Sequence, residues 1–480
     1  MKTRFIIFLL VSLAALMLSL EAFGCSKFVV KPGVDYQKAF ASANTKYVIK
    51  QDINLQGKMV KIGEGSTLVF QGGSLANGTI VGNQTKITDT RDNIFRDCRI
   101  DGTWILRDSY SSFFNADLDA LLLIKNLSCL SQNIKLSPDR TYRLASQGEV
   151  IQAESISSIG KEKAIIDFHT TNPNVVGLMI SGNNIVLNNL SIRDDYDKSN
   201  DSRFGKNDIT IGSTIGIQSK KKIVNSLTVN GCDFSGGTSS SFIASSQVLE
   251  CSVNNCTFSG YMADHAVYCS TQIRKFSVQN CIINDVTNTA GLFKIRASKD
   301  LEMLSLKNID AINLNGYIVI ASLLETPYAQ LLFDNITVTK DDKDKSVFFG
   351  FCITDETKSL ENTGRYNAGR ATISNCRFDY GYNGASLLYQ GSGRRACIKT
   401  IEYRNTKANY SNFAGAFSDV LSVEGCQFTN CLAKGLPINT RKLSIEKTSL
   451  SQTGNGRINY VFSCFPHIFG PLTRTGPTVA

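Results

Sequence analysis

The stretch from Leu227 to Ala311 repeats one pattern four times. The copies are Leu227-Thr-Val-Asn-Gly-Cys-Asp-Phe234, Cys251-Ser-Val-Asn-Asn-Cys-Thr-Phe258, Phe276-Ser-Val-Gln-Asn-Cys-Ile-Ile283 and Leu304-Ser-Leu-Lys-Asn-Ile-Asp-Ala311. In each copy apolar and polar residues alternate, a Gly or Asn follows, and alternation resumes in the opposite phase. Alternation with period two is typical of β-strands, and a phase reversal at Gly or Asn indicates a left-handed turn residue. Each copy is therefore predicted to be a strand, a sharp bend and a second strand.

The spacing of the copies predicts the architecture. From Cys232 the equivalent residues are Cys256, Cys281, Ile309 and Ile336, which are steps of 24, 25, 28 and 27 residues. Repeats of this length, made of short strands without helical periodicity, indicate a solenoid of stacked coils. A β-sandwich also has many short strands but does not place one residue type at one recurring offset. We predict an all-β protein, a right-handed parallel β-helix solenoid.

The first 24 residues read as a signal peptide. Lys2 and Arg4 precede an apolar run, and Ala22-Phe-Gly24 provides a small-x-small cleavage site. The next residue is Cys25, so the segment also resembles a bacterial lipoprotein box in which that cysteine is lipidated. No second run is long enough to span a bilayer. We expect an exported protein, either an outer-membrane or cell-surface lipoprotein that touches the membrane only through lipid on Cys25, or a freely secreted one.

The rest of the chain divides by pattern. We predict a linker over 25–46, the β-helix over 47–460 with a capping helix at about 115–128, a long loop insertion at about 340–370, and an irregular tail over 461–480. The helix is the one good helical segment, and Asn115 is placed to cap it. The insertion follows from the step of 40 residues between Ile336 and Cys376, well above the others.

The beginning of this region carries a family resemblance. Asp117 and Asp119 introduce the helix, Pro138 and Tyr142 follow at a four-residue spacing, and Gly160-Lys161 precedes Ile165-Ile166. This order resembles the opening of pectate-lyase-like β-helix proteins, including exported ones of polysaccharide-degrading bacteria, and it extends with the later repeats over about residues 45–450. The resemblance implies that the helix covers the open end of the solenoid and that the protein acts on or binds polysaccharide. It does not specify the reaction, because fold does not fix function.

The fourteen cysteines are predicted to be mostly interior thiols. In an exported protein such a number would suggest disulfides. Five of them share one position of the coil, however, and a free buried cysteine packs as a small apolar residue. These five are Cys232, Cys256, Cys281, Cys376 and Cys426.

The candidate site comes from aligning one strand over four coils. The segments are Phe242–Ser245, Val267–Ser270, Ile295–Ser298 and Val319–Ser322. In this alignment Ile243, Tyr268, Arg296 and Ile320 point outward, Lys294 lies on the same side, and the four serines form an outward column of hydroxyls. Asp264-His265 precedes the strand of Tyr268.

We assign His265, Lys294, Arg296 and Tyr268 as candidate catalytic residues, and Asp264, Ser270 and Ser298 as candidate substrate-binding residues. Abstraction of a proton beside a uronate carboxylate needs a cation to neutralise that carboxylate and a base whose pKa positive neighbours have lowered. The alternative is an ordinary solvated strand face on which Lys, Arg and Tyr keep the surface soluble.

Other features are weaker signals. An acidic segment, Asp194 to Asp197 with Asp201 and Asp208, carries oxygen ligands suited to calcium, but its spacing matches no known calcium loop, so the cofactor is left unknown and no metal site is assigned. No pair of carboxylates is expected at comparable positions on neighbouring coils, which argues against a two-carboxylate glycosidase.

The charge allows an anionic partner without indicating a nucleic acid. Cleavage after Gly24 removes two cations and one anion, lowering the formal net charge from +10 to +9, and this modest excess suits an acidic polysaccharide. Lys and Arg are scattered rather than clustered, so no nucleic-acid partner is expected, and we expect a monomer.

Two functions follow: a lyase that cleaves an acidic glycan by β-elimination, or a noncatalytic glycan-binding or cell-surface structural β-helix protein.

Overall fold

The computed structural model describes most of the chain after the predicted signal peptide. The described residues are 26–88, 92–145, 148–171, 175–196, 213–219, 223–238, 241–245, 247–262, 264–296, 299–339, 350–357, 360, 363–379, 396–409, 412–413, 416–433, 438–451 and 462–464. Cys25, Ser298 and three residues of the acidic segment, Asp197, Asp201 and Asp208, lie outside this set. The chain forms two compact units, with unit 1 ending at Ile134 and unit 2 beginning at Lys135.

Unit 1 contains parallel strands and the main helix of the described chain. Strands β1 to β8 are Ser26–Val30, Thr45–Ile49, Ile53–Asn54, Met59–Lys61, Thr67–Phe70, Leu75–Ile87, Phe95–Trp104 and Ser109–Tyr110. The helices are α1, Tyr36–Ala39, a 3-10 helix, Ser111–Phe113, and α2, Ala120–Leu130. β1 pairs in parallel with β2, so the segment predicted to be a linker contains a strand whose backbone is already part of the sheet.

Helix α2 begins later than predicted and is capped by a different residue. Asp119, not Asn115, is the N-cap, and its carboxylate accepts from the Leu122 amide at 2.9 Å. Asn115 instead exchanges hydrogen bonds with Asp97. The helix packs on β7 through Asn126, whose buried amide accepts from Ile100 N at 2.9 Å and donates to Cys98 O at 2.8 Å. Asn126 thereby hydrogen-bonds backbone groups at the edge of β7, which is how a capping helix covers the edge of a sheet.

Unit 2 is built of coils that stack in parallel register. Strand β9, Asn133–Leu136, contains the boundary at which the chain is divided. Strands β10 to β39 are Thr141–Leu144, Glu149–Gln152, Ser155–Ser158, Ala164–Phe168, Leu178–Ser181, Asn184–Asn188, Leu190–Asp195, Ser213–Gln218, Val224–Asn230, Asp233–Thr238, Ser241–Ser245, Val248–Asn254, Thr257–Met262, His265–Ser270, Lys275–Arg296, Met303–Ile312, Asn315–Leu323, Gln330–Thr339, Phe351–Asp355, Ala368–Ser374, Arg377–Asp379, Ala396–Arg404, Lys407–Asn409, Asn412–Phe413, Ala416–Glu424, Gln427–Thr429, Leu432–Ala433, Ile438–Glu446, Ser449–Ser451 and Phe462–Cys464. The predicted right-handed parallel β-helix is confirmed.

Each coil of unit 2 presents three strand faces. Face 1 ends at the Gly or Asn turn and includes β12, β15, β18 and β21; face 2 follows the turn and includes β13, β16, β19 and β22; face 3 closes the coil and includes β14, β17, β20, β23, β26 and β28. The long strand β24 passes through all three faces. Face 3 holds the site predicted from the sequence.

The turn between faces 1 and 2 has the left-handed backbone that the phase reversal predicts. Its residue has φ between 48° and 64° in ten successive coils: Asn189, Gly231, Asn255, Asn280, Asn308, Asn335, Asn375, Asn405, Gly425 and Lys447. Only Gly and Asn adopt this region at low cost. Neighbouring Asn side chains are also bonded to one another, as Asn308 Nδ2 donates to Asn280 Oδ1 at 2.9 Å.

The residue after this turn points into the coil. The five cysteines predicted there are all buried, and Ile309, Ile336 and Thr406 continue the same row. The twelve cysteines whose side chains the structure describes are free thiols, and ten of them are buried. Thiol packing is therefore confirmed for the described part of the chain.

Two predicted irregular segments contain strands. β28 lies within the expected insertion at 340–370 and pairs with β26, while β39 lies within the expected tail and pairs with β37. Both were missed because the strands are short and lie between polar, loop-like segments. In the described part of the chain no helix is both long and apolar enough to cross a membrane.

Candidate functional site

Face 3 brings the predicted site residues together, but in a different register. Tyr268 pairs with Lys294, and Lys294 pairs with Ile320. Two residues further along, Ser270 pairs with Arg296, and Arg296 pairs with Ser322. The expected pairing of Tyr268 with Arg296 is wrong; the two residues are diagonal neighbours.

The register differs from the one predicted because, at the start of these strands, inward and outward positions alike carry apolar residues. Phe242 and Ile243 are both fully buried, as are Leu292 and Phe293, so alternation does not mark the inward phase there. Strand β24 also contains an irregularity between Thr287 and Gly291 that changes the count of residues. Consequently Ile243 points inward, contrary to the sequence alignment, and Val267 pairs with Phe293 rather than Ile295.

The predicted column of four serines is also not formed. Ser245 pairs with the buried Cys269 and therefore points inward, whereas Ser270 and Ser322 are outward neighbours of Arg296. Ser322 accepts a hydrogen bond from Lys294 Nζ at 2.9 Å and contacts Thr354 Oγ1 at 3.1 Å. A short polar network therefore runs across three coils beside Lys294.

Lys294 is the most perturbed cation of this face. Burial lowers the pKa of its amine, with Arg296 acting in the same direction, while Cys352, Asp264 and Glu356 act to raise it. Desolvation disfavours a charged amine, so Lys294 releases its proton more readily than a solvated lysine. Arg296, in contrast, is exposed. The two cations lie on the outward side of one strand, two residues apart, or about 7 Å along it.

His265 is held as a structural residue rather than as a free base. Its side chain is 5% exposed; Nδ1 lies 2.5 Å from Gly291 O, and Nε2 lies 3.1 Å from Asp264 Oδ1. Both ring nitrogens are thus engaged, and no nitrogen remains to accept a substrate proton. The ring also lies 5.4 Å from that of Tyr268. His265 and Asp264 therefore position Tyr268 and the start of its strand.

The structure contains a pair of carboxylates that the sequence analysis did not find. A cleft of about 440 Å³ on face 2 is lined by Asp167, Arg193, Asp194, Asp195, Tyr196, Ser235, Gly236 and Gly237. Asp167 pairs in register with Arg193 on the next coil, which places Asp167 and Asp195 near each other on neighbouring coils. Asp167 and Asp195 are diagonal neighbours rather than partners in register. Carboxylates at comparable positions on neighbouring coils do occur at Glu424 and Glu446, which pair in register, so their expected absence is wrong. Ile166 and Ile192 occupy the coil position of Phe234. Extending the repeat back to them would have placed Asp167 and Asp195 on the same face.

The acidic residues of this cleft already have protein partners. Asp194 is 2% exposed, and its carboxylate accepts from the Thr170 and Thr214 hydroxyls, each at 2.6 Å. Burial raises its pKa to about 6, against the effect of those hydrogen bonds. Asp195 contacts His169 Nδ1 at 2.7 Å, and this bond raises the pKa of the imidazole. In the described part of the chain, no group of three or more His, Cys, Asp or Glu side chains is placed to hold a metal ion.

Comparison with known proteins gives similarity at the level of fold. No protein-family model and no curated protein matches the chain. Among solved structures, the chain is similar to the catalytic domain of a GH87 alpha-1,3-glucanase in complex with nigerose, at 12% identity and a TM-score of 0.38, over 73% of this chain and 66% of that one. A D1069A form of that domain with nigerose gives 11% identity and a TM-score of 0.42 over the same shares.

Tailspike protein 3 of bacteriophage CBA120 gives 12% identity and a TM-score of 0.27 over 76% of this chain and 62% of that one. The chain thus spans slightly less than two thirds of the solved structures it matches. The pectate-lyase-like family suggested by the sequence is not confirmed. What stands is the parallel β-helix itself, which rests on the strand pairing of this chain.

Proposed function

We propose that this protein binds an acidic polysaccharide at the Lys294–Arg296 surface of face 3 and cleaves it by β-elimination. The observation that carries the proposal is the partly desolvated amine of Lys294, which has a lowered pKa and shares an outward strand side with the exposed Arg296. A base with a lowered pKa and a nearby guanidinium are the two groups that elimination at a uronate requires.

In the proposed reaction Lys294 Nζ, in its neutral form, removes the proton at C5, α to the uronate carboxylate. Arg296 holds that carboxylate through two parallel hydrogen bonds, a geometry that lysine does not provide. The electron pair of the broken C–H bond forms the C4–C5 double bond as the C4–O4 bond breaks. The hydroxyl of Tyr268, whose backbone pairs with that of Lys294, donates a proton to the leaving O4.

The experiment is incubation of the protein with pectin, alginate and glycosaminoglycans while ultraviolet absorbance of the unsaturated uronate is recorded. We expect Lys294→Arg to remove activity, because arginine stays protonated, and activity of the parent to rise with pH as the Lys294 amine loses its proton. Arg296→Lys should weaken turnover despite its unchanged charge. Lys307→Arg on face 1 and Arg99→Lys in unit 1, both at exposed strand positions, are the matched controls.

Three results would overturn elimination at this surface. Equal losses of activity in the control variants and the face-3 variants would mean that Lys294 and Arg296 are ordinary solvated surface residues. New reducing ends without ultraviolet absorbance would indicate hydrolysis, which needs two carboxylates rather than the Lys294–Arg296 surface. Binding of a glycan without any product would establish the noncatalytic alternative.

A further inference from the structure

A second cleft lies on face 2, several coils beyond the acidic one. It has a volume of about 430 Å³ and is lined by Arg377, Phe378, Asp379, Lys407, Ala408, Asn409, Gln427 and Thr429. These residues come from β30, β32 and β35, which pair in register as three consecutive coils. Phe378 and Ala408 are buried, so the outward side chains of the cleft are polar or charged.

The outward side chains form two columns of different chemistry. Arg377, Lys407 and Gln427 occupy the first column. Arg377 is 62% exposed and lies 3.5 Å from Asp379, while Lys407 is exposed and forms no salt bridge with any residue in the described part of the chain. Two strands about 5 Å apart therefore each present a cation at the paired position, an arrangement that attracts anionic groups.

The second column supplies neutral and acidic hydrogen-bonding groups. It consists of Asp379, Asn409 and Thr429, which lie one alternation further along the same strands. Asn409 Nδ2 donates to Asp379 Oδ1 at 3.3 Å, whereas Asn409 Oδ1 is buried and has no partner among the described residues. A buried acceptor without a partner is unusual in folded proteins. Rotation of this amide toward the cleft would let a ligand hydroxyl satisfy it.

We infer that this cleft, the Arg377–Thr429 cleft, is a second saccharide-binding site and that its ligand is an anionic sugar chain. The cation column suits carboxylate or sulfate groups, and the parallel column of carboxylate, amide and hydroxyl groups suits the ring hydroxyls of the same sugars. Without a second column, the cations would bind any anion; the two together select a molecule that carries both anionic groups and hydroxyls. The inference does not depend on the reaction at Lys294, which lies on face 3.

The test measures binding of defined oligosaccharides to the full chain by calorimetry. The probes are an oligogalacturonate, a sulfated glycosaminoglycan oligosaccharide and a neutral gluco-oligosaccharide of equal length. The double variant Arg377→Gln/Lys407→Gln should bind the preferred anionic probe at least about tenfold more weakly, since each cation–anion hydrogen bond contributes measurably. Which of the two anionic probes binds more tightly distinguishes carboxylate from sulfate recognition.

Matched variants separate this site from the Lys294 surface. Lys86→Gln, an exposed lysine of unit 1, controls for loss of charge alone, and thermal melting of each variant checks that it folds. Lys294→Arg should retain binding at the Arg377–Thr429 cleft even where turnover is lost, and Asn409→Ala should weaken binding without altering its salt dependence. The inference is overturned if the parent binds none of the probes, if it binds the neutral probe equally well, or if the double variant behaves like Lys86→Gln.

Discussion

At the scale of single residues, the row that contains Cys256 tests the register of the coils. Cys256 is 1% exposed, and its thiol lies 3.1 Å from Asn254 O. Thr406 occupies the same row naturally, with its hydroxyl donating to Arg404 O at 3.1 Å. A side chain of this size with a single donor therefore fits the position, whereas a carboxylate would be buried without a partner.

We expect Cys256→Thr to change the free energy of unfolding by less than about 1 kcal/mol and Cys256→Asp to lower it by more than about 4 kcal/mol. Chemical denaturation of the two variants beside the parent measures both values. A Cys256→Asp variant as stable as the parent would mean that the row faces solvent.

Asp194 predicts a pH dependence of stability. Its pKa is raised from 3.8 in the unfolded chain to about 6 in the fold, so between these values the folded state binds more protons than the unfolded state. Stability contributed by this group is therefore lost as pH rises from about 4 to 6, by about 3 kcal/mol at most. Above pH 6 the loss is complete and constant.

The Asp194→Asn variant removes this titration. Measured by thermal melting from pH 4 to pH 7, the stability of the parent relative to Asp194→Asn should fall with rising pH and then level off. A difference that does not vary with pH would show that the Thr170 and Thr214 hydroxyls offset the burial of the carboxylate completely.

At the scale of elements, the turn between faces 1 and 2 combines two demands on one residue. Asn308 has φ of 52°, donates to Asn280 and accepts from Asn335, both at 2.9 Å. At Asn308 the turn thus uses both a left-handed backbone and a side-chain amide. Gly231 and Gly425 occupy the same turn in other coils and meet only the first requirement.

Replacement of Asn308 should separate these demands. Asn308→Gly loses the amide bonds and should cost about 1 kcal/mol, while Asn308→Ala also places a Cβ in the left-handed region and should cost about 3 kcal/mol. Denaturant titration gives both values. If alanine costs no more than glycine, the hydrogen bonds rather than the backbone determine the preference for Asn.

At the scale of the whole molecule, features that recur in every coil were predictable and features of single coils were not. The turn at Asn280 and the row of Cys256 repeat, so periodicity identified them. The register of Tyr268 against Lys294 depends on the irregularity between Thr287 and Gly291, which occurs once and leaves no repeated signal. The carboxylates of Asp167 and Asp195 lie before the clearest copies, where the pattern is weaker.

The interior rows predict how thiols respond to reagents. Of the twelve cysteines whose side chains the structure describes, ten are buried and free, and Cys129 is exposed. A thiolate reacts only when it is reachable, so at least ten thiols should remain silent in the native protein and react once denaturant is added. Spectrophotometric thiol titration before and after denaturation counts them. Fewer than ten newly reactive thiols would show that some of these cysteines are oxidised or accessible in the native state.

The asparagine row of the turns also has a direction. Each amide donates toward the preceding coil, from Asn335 to Asn308, Asn280, Asn255, Asn230 and finally Asn188. Six amides joined head to tail by five hydrogen bonds polarise one another, and their aligned dipoles add as peptide dipoles do in a helix. This edge of the solenoid is therefore electrically polar, with its N–H end at Asn188 and its carbonyl end at Asn335. Reversing one amide would set donor against donor, so all of the amides must keep the same orientation.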